Sequence, residues 1–260
     1  MKTNTQQKLL AYIKQRGQAT AKEIIEYSGY NATGIFRHLK KLIKNNLIIK
    51  QGKLPQILYL PNNIKEAKNM GDSNSTIIQN GFVWNESGNE NLLKPEAYCP
   101  TRDVFQARLD HLLTDCLRQL NNENLSYLLV AVTGEIGNNS FDHNLGNWHD
   151  IMGIYFAVDL SSREIILADR GQGIFSTIKK VRPNITSDKE ALHIAFTETI
   201  SGRAPEQRGN GLKFVRKIIA DQSWQLDFYS GNGFCKIKNG DISFASEDKN
   251  ITGTVALIKF

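Results

Sequence analysis

The middle of the chain alternates hydrophobic and polar positions at helical spacing. Five residues form one apolar stripe at intervals of three and four: Leu125, Leu128, Leu129, Val132 and Ile136. This stripe predicts a single helix that continues to about His143. A second amphipathic pattern over residues 103–120 predicts another helix directly before it.

The pattern changes to β-type runs on either side of this helical region. Strands are predicted at 77–84, 151–159, 164–169, 225–229, 234–237 and 254–260. Further helices are predicted at 189–199, where Ser187 and Glu190 have capping-box spacing, and from Leu212 onward. Helices and strands thus occur in separate groups, which indicates an α+β fold.

The first 60 residues have their own pattern. Helices are predicted at 3–16 and 21–27, and a third helix, capped by Asn31, carries Ile35, Leu39 and Leu42 on one face. Two β-rich runs, 47–50 and 56–60, follow as a hairpin. With a polar stretch at 61–76 as the connection, the expected domains are 1–62, a linker and lead-in segment at 63–100, and 101–260.

The net charge of +6 is divided unequally between these parts. Residues 1–62 contain nine Lys and two Arg against two Glu, a net charge of +9, so the rest of the chain carries −3. A small basic domain joined to a mildly acidic body indicates that the N-terminal part meets a polyanion.

Three short helices and a hairpin, with a basic third helix, resemble the winged helix-turn-helix family of DNA-binding domains. The resemblance implies that the third helix enters the major groove of double-stranded DNA and that the hairpin touches the backbone. By position, Thr33, Arg37 and Lys41 are expected near base edges, and Lys40, Lys44 and Lys53 near phosphates. The open alternative is a protein-interaction winged helix whose basic face is only solvated.

Glu135 and Asn139 are the polar residues that stand out on the central helix. They lie four residues apart, roughly 40° from each other, on one edge of the apolar stripe, and are expected to lean toward the core. Partly buried polar groups need partners, and a hydrated metal ion bound to phosphates would supply them. A wet groove or a neighbouring element to cap would serve equally well.

Glycine clusters follow this helix in a definite order. A strand ends in Asp169-Arg-Gly171-Gln-Gly173, a long segment ends in Arg208-Gly209-Asn-Gly211-Leu, and Gly253-Thr254 opens the last strand. Together with Glu135-x-x-x-Asn139, this series resembles the GHKL family of ATP-binding domains, which includes gyrase B subunits, histidine kinases and anti-sigma-factor kinases. The resemblance covers about residues 103–260 and implies a Bergerat-type α/β sandwich with a mixed, mostly antiparallel sheet.

The resemblance also implies roles for individual residues. Asn139 would complete the shell of a Mg²⁺ ion on the ATP phosphates, and Glu135 would be the general base of the hydrolysing members. Asp169 would accept a hydrogen bond from the adenine amino group, Gly171 and Gly173 would let backbone approach the base, and Thr254 would join this network. Gly209 and Gly211 would present backbone N–H groups to the phosphates, beside Arg203 and Arg208, and residues 174–207 would form a lid.

The combined patterns predict a transcriptional regulator that binds ATP, Mg²⁺ and DNA, with the nucleotide state gating DNA or partner binding and with ATPase activity. The alternative is a serine kinase that resembles the anti-sigma-factor kinases and acts on a small STAS-like protein; a homodimer is compatible with either. Three scattered cysteines indicate a reducing compartment, and no apolar run is long enough for a membrane helix, so a cytoplasmic location without a membrane partner is expected.

Overall fold

The computed structural model describes residues 5–44, 47–51, 57–61, 75–88, 93–198 and 211–260. The chain divides into two compact units, Met1–Asp72 and Ser73–Phe260. Both contain helices and antiparallel sheet, which confirms the prediction of an α+β fold. Within the described residues, no helix is long and apolar enough to span a bilayer.

In its described residues, the first unit contains three helices and a small sheet. Its helices are α1 (Thr5–Arg16), α2 (Ala21–Ser28) and α3 (Ala32–Lys44), and its strands are β1 (Ala19–Thr20), β2 (Ile48–Gln51) and β3 (Leu58–Pro61). The strands are antiparallel in the order β1-β3-β2, so the predicted β-rich runs do pair. The short strand β1 was not predicted, because two residues are too few to show a period.

The three helices of this unit enclose one apolar core. Ile35, Leu39 and Leu42 of α3 are at most 1% exposed and pack with Leu9 and Ile13 of α1. Thr20 and Glu23 form a capping box at the start of α2, which fixes the entry into that helix.

The second unit is built on a five-stranded antiparallel sheet with the strand order β4-β5-β6-β8-β7. Its helices are α4 (Thr76–Ser87), α5 (Arg102–Gln119), α6 (Glu123–Asn144), α7 (Gly173–Lys179), α8 (Asp188–Thr197) and α9 (Gly211–Asp221). Its strands are β4 (Tyr98–Cys99), β5 (Ile154–Asp159), β6 (Glu164–Asp169), β7 (Gln225–Lys238) and β8 (Asp241–Lys259). Helix α6 is the continuous helix that the apolar stripe predicts.

Both faces of the sheet are covered by helices. Ile154, Phe156 and Leu167 point into the large core shared with α5, α6, α8 and α9. On the opposite face, α4 lies against β5, β6 and β8, and its Gly81 comes so close that an added methyl group would lie 2.6 Å from Ile166. The sheet is therefore the middle layer of three.

The predicted strand at 77–84 is wrong, because this segment is helix α4. Its Ile, Phe, Val and Trp residues resemble a β-type run, and a short apolar run cannot be assigned by period alone. The apolar outer face of the sheet is what selects the helix: Trp84 stacks on Tyr155, and Phe82 meets Tyr229 edge to face. Gly88 ends the helix in the left-handed conformation.

The three strands predicted after residue 224 are also corrected. Residues 225–238 form one strand, β7, and β8 begins at Asp241, so the two make a long hairpin beyond the sheet. Gly231 and Gly233 lie between the two predicted strands and sit at a register shift within β7. An added methyl group on Gly231 would lie 2.3 Å from the Asp188 carboxylate of α8. The exposed polar residues of β8 lie mainly in its first half and include Ser243, Ser246, Glu247, Asp248 and Asn250, as antiparallel sheets permit.

All three cysteines are buried and free, as their spacing suggested. Burial raises the pKa of Cys99 and of Cys116 to about 11, and that of Cys235 to about 12. These thiols therefore stay protonated and act as small apolar side chains.

Helix α5 packs on α6 through a glycine whose replacement should be costly. A methyl group on Gly137 would lie 2.2 Å from the ring of Phe105, which is fully buried between Phe141 and Phe156 and cannot move aside. We expect Gly137→Ala to lower the free energy of unfolding by about 1–3 kcal/mol. Chemical denaturation of the full chain measures this.

The control for this prediction lies one turn earlier on the same helix. A methyl group on Gly134 would meet Leu109 at 3.4 Å, an ordinary contact, and alanine is the better helix former. Gly134→Ala should therefore leave stability unchanged or raise it by up to about 1 kcal/mol. Equal losses for the two variants would contradict the packing argument.

Candidate functional site

Helix α6 lines the candidate site along its second half. From Glu135 to Asn144 the helix rises roughly 14 Å, and chemically distinct groups lie at the two ends of this stretch. The first end faces the start of α9, and the second end faces the turn after β6 and the part of β8 around Gly253 and Thr254.

At the first end, Glu135 and Asn139 lie against Gly211. A methyl group on Gly211 would stand 2.5 Å from Glu135 Oε2 and 3.4 Å from Asn139 Nδ2, so a side chain at this position would have to displace the exposed Glu135 carboxylate. Gly211 is the first residue of α9, where backbone N–H groups point out of the helix and favour anions. The site predicted from two distant motifs is thus brought together here.

The expected burial of this pair is only partly right. Asn139 is half-buried, but Glu135 is exposed, because the buried face of α6 turns toward Gly134, Gly137 and Ser140 instead. The small side chains on that face let α5 and the sheet approach closely. Glu135 therefore stands at the rim of the site.

At the second end, Asp169 is buried and held by four hydrogen bonds. Its Oδ1 accepts from Gly171 N at 2.8 Å and from Asn144 Nδ2 at 3.2 Å. Its Oδ2 accepts from Ser140 Oγ at 2.8 Å and from the hydroxyl of Thr254. Burial raises the pKa of the Asp169 carboxyl, and the four donors partly offset this rise.

The glycines around Asp169 keep space for these contacts. Gly253, in the left-handed conformation, lies where a methyl group would be 2.4 Å from Asp169 Oδ1. A methyl group on Gly171 would lie 1.9 Å from Asn144 Nδ2, far inside van der Waals contact. Gly173 also has positive φ, and the neighbouring Ile174 N–H donates to Ser230 Oγ at 2.9 Å. Gly171 therefore faces a side chain of its own chain.

Arg170 anchors the same turn to α4 on the other face of the sheet. Its side chain is 7% exposed, donates from Nε to Asp150 Oδ1 at 2.8 Å, and also reaches the carbonyl of Asn85. The Asn85 amide donates in turn to the carbonyls of Asp169 and Thr252, at 2.8 and 2.7 Å. These bonds hold the ends of β6 and β8 together behind the site.

Sequence reasoning missed several of these residues, among them Ser140, Asn144, Asn85 and Asp150. Ser140 follows Asn139 directly, and Asn144 ends the helix, so a search for polar residues on the inner face of α6 could have found both. Asn85 and Asp150 lie in segments without a motif, and no sequence signal points to them.

The region expected to form a lid contains ordered helices in its first part. Residues 174–198 include α7, which was not predicted, and α8, which was predicted at 189–199 and spans Asp188–Thr197. Helix α8 is packed into the core through Leu192 and Phe196, and Asp188 accepts a hydrogen bond from Asn232 N at 3.2 Å. Arg203, Arg208 and Gly209 lie outside the described residues.

The predicted DNA-contact residues on α3 share one exposed face. Thr33, Arg37, Lys40, Lys41 and Lys44 are all exposed, opposite the buried Ile35, Leu39 and Leu42. Phe36 is 48% exposed on the shoulder of the same face. Lys53 lies outside the described residues.

The sequence matches no protein-family model and no curated protein. Among the described residues, no three His, Cys, Asp or Glu side chains converge as a metal site. The donor set suits a Mg²⁺ ion held mainly by phosphates and water, since such ions often take only one or two protein ligands. Asn139 is the residue that could supply one here.

The ion pair between Asp150 and Arg170 predicts a pH effect on stability. The hydrogen bonds from Arg170 hold the pKa of Asp150 below its ordinary value. Its contribution is therefore present above the pKa of an unfolded Asp, about 3.9, and is lost as pH falls through the lower folded value. We expect the unfolding free energy of Asp150→Asn to decline less steeply between about pH 5 and 2 than that of the wild type.

Denaturation at several pH values tests this, with the wild type as reference so that the opposite contribution of Asp169 cancels. Asp142→Asn is the control, because Asp142 pairs with Arg102 on the exposed surface, where such pairs stabilise little. Parallel profiles for wild type and Asp150→Asn would contradict the assignment.

Proposed function

We propose that the second unit binds ATP with Mg²⁺ along α6, in the manner of the GHKL family, and that the first unit is a winged helix that binds double-stranded DNA. The protein is then a regulator in which the nucleotide state gates DNA binding or the binding of a protein partner. The observation that carries the proposal is the meeting of Glu135 and Asn139 with Gly211, residues from two motifs more than 70 positions apart.

The chemistry of this end suits phosphates. The N-terminus of α9 presents backbone N–H groups and the positive end of a helix dipole, which together favour anions. Asn139 supplies an amide oxygen to a hard cation beside them. The alternative is that the Glu135 carboxylate is itself the anion at the N-terminus of α9, and that no ligand binds there.

The chemistry of the other end suits a base. A buried carboxylate surrounded by glycines and hydroxyls can accept a hydrogen bond from an exocyclic amino group. The two ends are separated along α6 by the length of several helical residues, so one ligand with an anionic tail and a base would engage both.

Turnover depends on Glu135. Its exposed carboxylate at the rim is open to a water molecule or to a hydroxyl group of a partner protein, which are the acceptors of an ATPase and of a kinase. ATP hydrolysis remains the first proposal and phosphoryl transfer to a STAS-like protein the second. Labelled phosphate, followed in the presence and absence of a partner, separates the two.

Nucleotide binding is tested at Gly211. A methyl group there would narrow the space beside the Asn139 amide and force the exposed Glu135 carboxylate to move, so Gly211→Ala should weaken Mg·ATP binding roughly tenfold. Isothermal titration calorimetry measures the affinity, and a thermal unfolding scan shows that the helix is intact. Gly134→Ala, on α6 but at an ordinary contact distance, should bind as the wild type does. Absence of ATP binding by the wild type would end the proposal.

DNA binding is tested on α3. We expect Lys40→Ala to weaken binding and to reduce the slope of log affinity against log salt by about 1, because it removes one phosphate contact, and Arg37→Ala to weaken binding and relax the base preference. Lys22→Ala is the control, since Lys22 is equally exposed on α2 but pairs with Glu26. Mobility shifts with and without Mg·ATP test the gating, and identical curves would refute it.

A further inference from the structure

The Asp169 carboxylate has its acceptor positions filled by its own chain. Asn144, Gly171, Ser140 and Thr254 each donate one hydrogen bond, and an ionised carboxylate has about four acceptor sites. Asp169 is 1% exposed. An amino group from a base can therefore reach this carboxylate only if one of the four donors leaves.

The donors differ in how firmly they are held. Gly171 N belongs to the turn that follows Asp169, and Thr254 is paired with Asp169 in the β6–β8 register. Ser140 lies within α6, on its buried face. Asn144 is the last residue of that helix. Its bond to Asp169 Oδ1 is 3.2 Å long, whereas the bonds from Ser140 Oγ and Gly171 N are 2.8 Å long.

The backbone beyond Asn144 leaves the helix at once. Leu145 has φ −58° and ψ 113°, and its side chain is 82% exposed. Asn144 is thus the donor that stands at the end of its element, and its departure would break two hydrogen bonds, one to Asp169 Oδ1 and one from Gln172 N.

The Asn144 amide also has the chemistry of the group it would yield to. Its Nδ2 donates to Asp169 Oδ1, as the exocyclic amino group of adenine would, while its Oδ1 accepts from Gln172 N at 3.0 Å. The amide lies flat on Gly171 and is 3% exposed. In this arrangement neither Asp169 nor Asn144 is open to a ligand.

We propose that Asn144 occupies the base-binding position beside Asp169 and must turn away before a 6-aminopurine binds, so that it sets both the affinity for the base and the preference for its amino group. This inference rests on the proposed nucleotide site. It makes Asn144 a specificity-determining residue that acts as an internal competitor.

The test compares two nucleotides on two variants. ATP carries the amino group and inosine triphosphate has an oxygen in its place. Asn144→Ala removes the competitor, so its ATP affinity should rise roughly three- to tenfold, which is the range of one exchanged hydrogen bond. Its affinity for inosine triphosphate should rise less, so the ATP to inosine triphosphate ratio increases.

The control variant is Asn147→Ala. Asn147 is an exposed asparagine in the following loop. Among the described contacts, its side-chain amide donates only to the carbonyl of Leu145. Its two affinities should match those of the wild type. Weaker ATP binding by Asn144→Ala, or an unchanged ratio, would overturn the inference.

A measurement on the wild type guards against a variant that folds poorly. If Asn144 turns away, the backbone N–H of Gln172 loses its acceptor, Asn144 Oδ1. Hydrogen exchange of this backbone N–H should therefore be faster with saturating ATP than without. Equal or slower exchange with ATP bound would show that Asn144 stays and would refute the inference alone. Absence of binding of either nucleotide to any of these proteins would instead refute the nucleotide site, and this inference with it.

Discussion

The buried carboxylate of Asp169 is the constraint on which the site depends. A carboxylate without water is costly, and here the cost is offset by donors from α6, from its own turn and from β8. These bonds fix the distance between the helical layer and the sheet at this edge. Gly171 and Gly253 follow from the same constraint, because a methyl group at either position would displace a bonded partner.

The opposite face of the sheet holds the same edge from behind. Asn85 bridges two carbonyls, one on β6 and one on β8, and Arg170 connects Asn85 to Asp150. These bonds tie α4 to the sheet, although Asn85 Oδ1 is buried without a hydrogen-bond partner among the described residues. The helix that the sequence pattern misassigned is thus the support of the candidate site.

What could be predicted from the sequence was the part governed by short-range pattern. The stripe of Leu129, Val132 and Ile136 identified α6. The family resemblance of the ordered glycine motifs grouped Gly211 with Glu135 and Asn139, and in the structure these three residues lie close together. The hydrogen-bond partner that Asn144 and Asn85 share, Asp169, could not be predicted for either residue, because it lies 25 and 84 positions away along the chain. The orientation of Glu135 also escaped the pattern, since Gly134 and Gly137 widen the buried face by packing backbone against α5.

The two ends of α6 differ in their exposure, and this difference separates affinity from turnover. Glu135 is exposed at the rim, where we propose that the phosphates and an acceptor bind. Asp169 and Asn144 are buried and hydrogen-bonded to each other. A base can therefore contact Asp169 only if it replaces the bond from Asn144. If the proposed site is correct, phosphate contacts can form first and the base contact is the later, selective step. Substitutions at Asn144 then change which nucleotide is bound, while substitutions at Glu135 change what becomes of it.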